Sequence, residues 1–178
     1  REQSAKMLID SFLPEGITSL AVDSIFMMPQ LGVMANIENE EIAEQARVAA
    51  LEVFEKDCLI RLGTCIAPVG KLSSTEIPLR INLEFQNGEK KDIEVRFGEL
   101  SRIKADYEEI KAVLTPAKGI DVGAGQGEKI ITKIYGGHVG IIFDGRGRPF
   151  EIEPSSSKRI SNLKNWSEAM NEYPEIGK

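Results

Sequence analysis

The chain has 178 residues, 42% of them hydrophobic and 28% charged, with a formal net charge of −6, the composition of an ordinary globular protein rather than a disordered or fibrous one. Lysine and arginine are scattered instead of striped, which argues against nucleic acid as a partner. No apolar run approaches the roughly 20 residues that cross a bilayer, and no secretory leader pattern opens the chain, so the expectation is no membrane partner and a cytoplasmic address. The chain starts at Arg1 directly in helical pattern, as a piece of something longer would.

Ala5, Leu8, Ile9 and Phe12 recur at helical spacing, and Leu13-Pro14-Glu15-Gly16 supplies the stop. Ile17 to Asp23 is short and partly β-branched and suits a buried strand. Met27-Met28-Pro29-Gln30-Leu31-Gly32 is expected to interrupt regular structure, and Met27, Met28 and Met34 to pack beneath that strand, or else to form an adaptable surface. Asn39 is a candidate cap for a helix opened by Glu40 and Glu41, with Ile42, Ala46, Ala49, Ala50, Val53 and Phe54 as its apolar stripe. Beyond Gly63 the helical period gives way to alternation. TCIAPVG reads as a strand, and Ile77 to Phe97 as a hairpin closed at Asn87-Gly88. Leu100 to Leu114 reads as mostly strand. EKIITKIYGG and HVGIIFDG read as a second pair joined at Gly136-Gly137, with RGRPFEIE leaving the sheet at Pro149. Ser155-Ser156-Ser157 reads as a linker before a closing helix that carries Leu163, Trp166 and Met170 on one face.

The expected fold is α+β: an α/β segment over residues 1–62, a β-rich sandwich or barrel domain of six or more mostly antiparallel strands over 63–154, and a linker and C-terminal helix over 155–178. Cys58 and Cys65 sit in apolar surroundings without CxxC spacing and read as reduced core thiols. His138 is the only histidine, and reads as a strand residue, with no metal site implied. Ser73-Ser74-Thr75 lacks a nucleophile-elbow pattern, and no catalytic triad is specified by spacing. Two glycine-rich turns remain. GIDVGAGQG, with Asp121, Gly123 and Gly125, has the form of a phosphate loop, but too little chain follows for the fold that such a loop opens, and no helix follows to offer its dipole. Asp144-Gly145-Arg146-Gly147-Arg148 places Arg146 and Arg148 where they can meet a carboxylate or phosphate, or simply form a solvated turn with Asp144 accepting backbone N–H groups.

Taken in order, VDSIFMMPQLGVMA (Val22 to Ala35), EVFEKDCLIRLGTCIAPVG (Glu52 to Gly70), GIDVGAGQG, GGHVGIIFDGRGRPFEI (Gly136 to Ile152) and LKNWSEAMNEYPE (Leu163 to Glu175) resemble the C-terminal portion of the MutL/GlmL family, the accessory protein of adenosylcobalamin-dependent glutamate mutase. The resemblance implies an actin-like, Hsp70-like ATPase fold whose last part is residues 1–62, with ATP bound upstream and no cofactor in this region. It also implies a cobalamin-dependent mutase or corrinoid protein as partner and no catalytic residue here. It departs at Gly145, where the family pattern has alanine after the aspartate. The alternative reading is a small-anion or nucleotide-binding domain of an enzyme that uses the glycine-rich turns, with Asp121, Gly123, Gly125, Arg146 and Arg148 as ligand-binding residues.

Overall fold

The structure is a computed structural model that describes residues 1–34, 36, 40–71 and 75–173. The expected cap at Asn39, the pair Ser73-Ser74 and the end of the tail at Glu175 lie outside the described residues, as do the side chains of Met34, Glu40 and Glu41. The fold is α+β, with eight strands in two four-stranded, mostly antiparallel sheets and a C-terminal helix. The strands are β1 (Gly16–Asp23), β2 (Leu59–Ala67), β3 (Leu79–Glu84), β4 (Lys90–Val95), β5 (Leu100–Ile103), β6 (Glu109–Pro116), β7 (Ile130–Tyr135) and β8 (Gly140–Asp144). The helices are α1 (Glu2–Phe12), α2 (Met28–Met34), α3 (Glu40–Val53) and α4 (Ser156–Met170), with a π-helical turn at Phe54–Cys58.

Two compact units divide the chain, Arg1–Leu20 with Leu62–Lys178, and Ala21–Arg61. The helix α1 belongs with the sheets because Ala5 and Ile9 are fully buried, and α4 belongs there because Trp166 and Met170 are buried.

In the larger unit the second sheet runs β4-β3-β6-β7, antiparallel throughout. Its first hairpin follows from Asn87-Gly88: Gly88 has φ +84°, the left-handed conformation this turn demands, and Phe85 N–H donates to Glu89 O at 2.9 Å. The period-two alternation of β3 and β6 sends Leu79, Ile81, Leu83, Ile110, Ala112 and Leu114 inward. Ile66, Ile141 and Phe143 of the first sheet meet them in one continuous core, which makes the unit a sandwich of two sheets. Thr64 Oγ1 donates across it to Tyr135 O at 2.7 Å.

The first sheet has the order β1-β2-β8-β5, with β2 and β8 parallel and β5 antiparallel to β8. Here the structure corrects the sequence reading, because β7 and β8 are not a hairpin. β7 pairs with β6 in one sheet and β8 with β2 and β5 in the other, so Gly136-Gly137 is a crossing between sheets. The cause lies in burial. Every residue of β8 is buried; it is the inner strand of a sheet covered on both faces, and such strands read as continuous apolar runs. The exit also comes earlier than Pro149, since β8 ends at Asp144.

Helix α1 ends as the sequence dictates. Leu13 takes a left-handed conformation, φ +45°, its N–H donates to Ile9 O at 3.0 Å, and Pro14 prevents continuation. Helix α4 packs along β5 and beside α1. Its serines are the helix start rather than a linker, Ser155 being the N-cap, and Leu163 is exposed while Trp166 and Met170 are buried.

The unit Ala21–Arg61 carries two further corrections. Met28–Met34 is helical instead of interrupted, because Pro29 falls in the first turn, where the missing N–H costs nothing. Asp23 assists by accepting the N–H groups of Ile25 at 3.2 Å and Met28 at 2.7 Å, bonds that hold its carboxyl below the usual carboxylate range. In α3 the buried stripe is narrower than expected: Ala43 and Ala50 are buried, whereas Ile42, Ala49 and Val53 face outward. Leu31, Ala50 and Cys58 form the small core, with Met27 and Phe54 packed against it, while Met28 is exposed.

Candidate functional site

Beyond Asp144 the chain bends at Arg146 and turns at Gly147, whose φ is +104°. Hydrogen bonds to the Asp144 carboxylate gather Arg146 and Arg148 on one side, while Gly145 lets the backbone pass close to its neighbours. A Cβ at Gly145 would lie 2.0 Å from Arg96 O, and Gly145 N–H and O are bonded to Glu99 O and Gly98 N–H at 2.8 Å each.

The result is a buried ion network in place of a solvated turn. Asp144 is fully buried, and Arg146 and Arg148 are 5% and 4% exposed. Asp144 Oδ1 accepts Arg146 Nε at 2.9 Å and Arg146 N at 3.1 Å; its Oδ2 accepts Arg146 Nη2 at 2.9 Å and Arg148 Nη2 at 2.8 Å. Arg146 Nη1 donates to Asp10 Oδ1 at 2.7 Å, and Asp10 is paired in turn with Lys6 one turn earlier on α1. Arg148 spends Nε on Pro14 O at 2.9 Å and Nη1 on Gly147 O at 2.8 Å. Burial by itself would raise the Asp144 carboxyl, but the two guanidinium groups outweigh it and hold it below the usual carboxylate range. Burial would also favour a neutral Arg146, and the Asp144 and Asp10 carboxylates reverse that, so its pKa is raised.

Arg146 is further held between aromatic rings. Its guanidinium carbon lies 5.2 Å from the Phe150 ring and 5.1 Å from that of Trp166, and Trp166 Nε1 donates to Gly98 O at 2.8 Å. Replacing Trp166 by phenylalanine removes that bond and leaves the Gly98 carbonyl without its indole partner. We expect a loss of about 1–3 kcal/mol, read as a lower midpoint in thermal unfolding followed by circular dichroism.

The second turn is built differently. Asp121 bridges to Val69 through both backbone groups at 2.8 Å, and its Oδ1 accepts Gly123 N at 2.7 Å and Gly125 N at 3.0 Å. These bonds hold its carboxyl low, and they fold Gly123 and Gly125 around the aspartate itself. The loop leads into a strand, β7, and offers no helix N-terminus. Val69-Gly70 brings the two turns together, with Val69 bridging to Asp121 and Gly70 to Arg148. On the Arg148 side lies a cleft of about 580 Å³, lined by Gly70, Lys71, Phe97, Arg146, Arg148 and Glu151 among others. Asp121, Gly123 and Gly125 are not among its lining residues. Lys71, Phe97, Asp10 and Trp166 escaped the sequence reading as site residues. The clustering of one acid and two guanidinium groups between Asp144 and Arg148 was the one local signal, and the other four come from distant segments.

Cys65 is fully buried and its thiol is pushed up to about 12, chiefly by burial. Cys58 is buried as well, and burial followed by Asp23 and Asp57 raises it. Both are free thiols, suited to packing rather than reaction. The imidazole of His138 bonds Arg1 and meets Tyr107 edge-on, with ring centroids 4.9 Å apart. Burial and Arg1 lower its pKa. Among the described residues no group of three or more His, Cys, Asp or Glu side chains is placed to hold a metal ion, and no helix is long and apolar enough to cross a membrane.

A different kind of surface marks the unit Ala21–Arg61. Residues 21–61 contain eight acidic and three basic residues, a net of −5 out of the chain's −6. The same unit exposes Ile25, Phe26, Met28 and Val33, and along α3 Ile42, Val48, Leu51 and Val53; Phe26 and Val33 are each 75% exposed. On α3 a shallow depression is lined by Val48 and Ala49 between Glu44 and Glu52. Single exposed apolar residues are commonplace, and here eight of them fall within the one unit Ala21–Arg61.

Compared with known proteins, the chain matches no family model, no curated protein and no solved structure.

Proposed function

We propose that this chain is the non-catalytic C-terminal region of an ATPase-fold accessory protein that maintains an adenosylcobalamin-dependent mutase of the glutamate mutase type, and that it acts by docking on its partner. The partner class comes from the resemblance of the ordered motifs to the MutL/GlmL family. The docking role rests on one observation, the eight exposed apolar side chains of the unit Ala21–Arg61 together with its concentrated negative charge. Such a surface suits a partner with an apolar patch rimmed by lysine and arginine. Apolar contact supplies the affinity, and opposite charge speeds the encounter and fixes its register. The absence of a catalytic role is supported by the network, in which Asp144, Arg146 and Arg148 are all committed to internal partners. ATP and its site belong, in this reading, to a region upstream of Arg1, and the cellular address is the cytoplasm.

The test is binding of the purified chain to glutamate mutase by sedimentation, with Val48→Lys and Leu51→Lys as variants. Both side chains are exposed, so thermal stability should hold within about 0.5 kcal/mol. Binding should weaken at least tenfold, and more steeply at low salt. Unaltered affinity in both variants would overturn the assignment of the face, and absence of wild-type binding would overturn the mutase partner.

A further inference from the structure

We infer that the cleft beside Arg148 is a binding site for a small organic anion, a carboxylate or a phosphate ester. The inference is independent of the docking face, which lies on other residues.

It starts from a charge imbalance. Two buried guanidinium groups, Arg146 and Arg148, share the single buried carboxylate of Asp144. The other acid in reach, Asp10, bonds Arg146 and is shared with Lys6. Arg148 is left with half a counter-charge, and its remaining bonds go to the neutral carbonyls of Pro14 and Gly147. A guanidinium withdrawn from water without a full counter-ion is costly, and Arg148 nevertheless lines an open cleft. An anion in that cleft supplies what the chain does not.

The donors and the space are present. Nη1 and Nη2 of Arg148 each carry two hydrogens and each donates one bond within the chain; the side chain is 2% exposed, so its charge acts on the cleft chiefly through the residue's place in the lining. Lys71 is exposed at the rim and adds a mobile ammonium, while Glu151 is the acid in the lining. The volume of about 580 Å³ falls within the range of small-molecule sites, and exceeds what an inorganic ion fills. Phe97, 47% exposed, and Pro149 offer an apolar wall, so the ligand carries an apolar part beyond its charged head. The site differs from the glycine-rich phosphate-loop reading, because Asp121, Gly123 and Gly125 take no part and Lys71 does.

Calorimetric titration of the whole chain with inorganic phosphate, succinate and phenyl phosphate tests this. Saturable binding of phenyl phosphate or succinate is expected, with phenyl phosphate at least tenfold tighter than inorganic phosphate. Lys71→Glu should weaken it tenfold or more without changing the unfolding midpoint, and Phe97→Ala should remove the advantage of phenyl phosphate over phosphate. A phosphate ester or a carboxylate as the natural head group is distinguished by which of the two arms saturates at lower concentration. Absence of saturable heat with all three probes, or equal affinity in Lys71→Glu, overturns the assignment.

Discussion

Replacing Asp144 by alanine should cost about 3–5 kcal/mol, the range for removing one partner of a buried ion pair. The carboxylate is fully buried and serves two guanidinium groups at once, so its loss leaves Arg146 with Asp10 alone and Arg148 with carbonyls alone. Against a total stability of about 5–15 kcal/mol for a domain, such a loss brings the chain close to unfolding. Urea denaturation at neutral pH reads it directly. The pH dependence gives an independent check. The carboxyl of Asp144 is lowered in the folded chain from an unfolded value near about 3.9. Its contribution is therefore fully present above that unfolded value and is lost as the pH falls through the lowered folded value. Asp144→Asn, which lacks this titration, should show a shallower acid limb than the parent chain. An acid limb of equal slope in both would remove Asp144 from the account.

The same network commits the pair of arginines that attracts attention in the sequence to partners within the chain. Its bonds tie three separate segments into one point: α1 through Asp10, the Pro14 turn through Arg148, and α4 through the stacking of Trp166 on Arg146. A group so committed orients structure. Outside the network lie the cleft that Arg148 lines and the exposed apolar side chains of residues 21–61.

Elements whose signals are local were legible in the sequence. Gly88 supplies the left-handed residue that closes one hairpin, and Pro14 ends one helix. The alternation in IPLRINLEF has one buried solution. The errors arise where the deciding information is distant. GGHVGIIFDG carries the pattern of a strand but not the identity of its neighbours, and β8 turns from β7 to β2, about 75 residues earlier in the chain. Met28-Pro29 reads as an interruption until Asp23 is seen to accept the amides that open the helix. Ile42, Ala49 and Val53 share a stripe with Ala46 and Ala50 by period alone, and only the packing shows which half of that stripe the unit covers itself. At the candidate site the nearness of Asp144, Arg146 and Arg148 in sequence was visible, whereas their burial was not, because the residues that cover them, Asp10 and Trp166 among them, come from distant segments.

Gly136→Ala should be strongly damaging, its added methyl group meeting the shortest contact among the described glycines compared. A Cβ there would lie 1.4 Å from Ala105 O and 2.5 Å from its carbonyl carbon, and both are backbone atoms that no rotamer change can move aside. Gly136 N–H also donates to Glu108 O at 3.0 Å, which pins the peptide against the segment between β5 and β6. This is the point at which the chain leaves one sheet for the other, so relief would require shifting β7 or β8, and with them the core residues Ile134 and Ile141. A loss of more than about 4 kcal/mol is expected, beyond the usual range of single substitutions, and it should be visible as lost soluble yield or as a collapse of the urea midpoint. Gly32→Ala is the matching control. Gly32 lies in α2 with nothing within 4 Å of its added Cβ, and an alanine in a helix gains about 0.5–1 kcal/mol over glycine. The two substitutions add the same atom, and their opposite signs would separate a sterically required glycine from one that is merely tolerated.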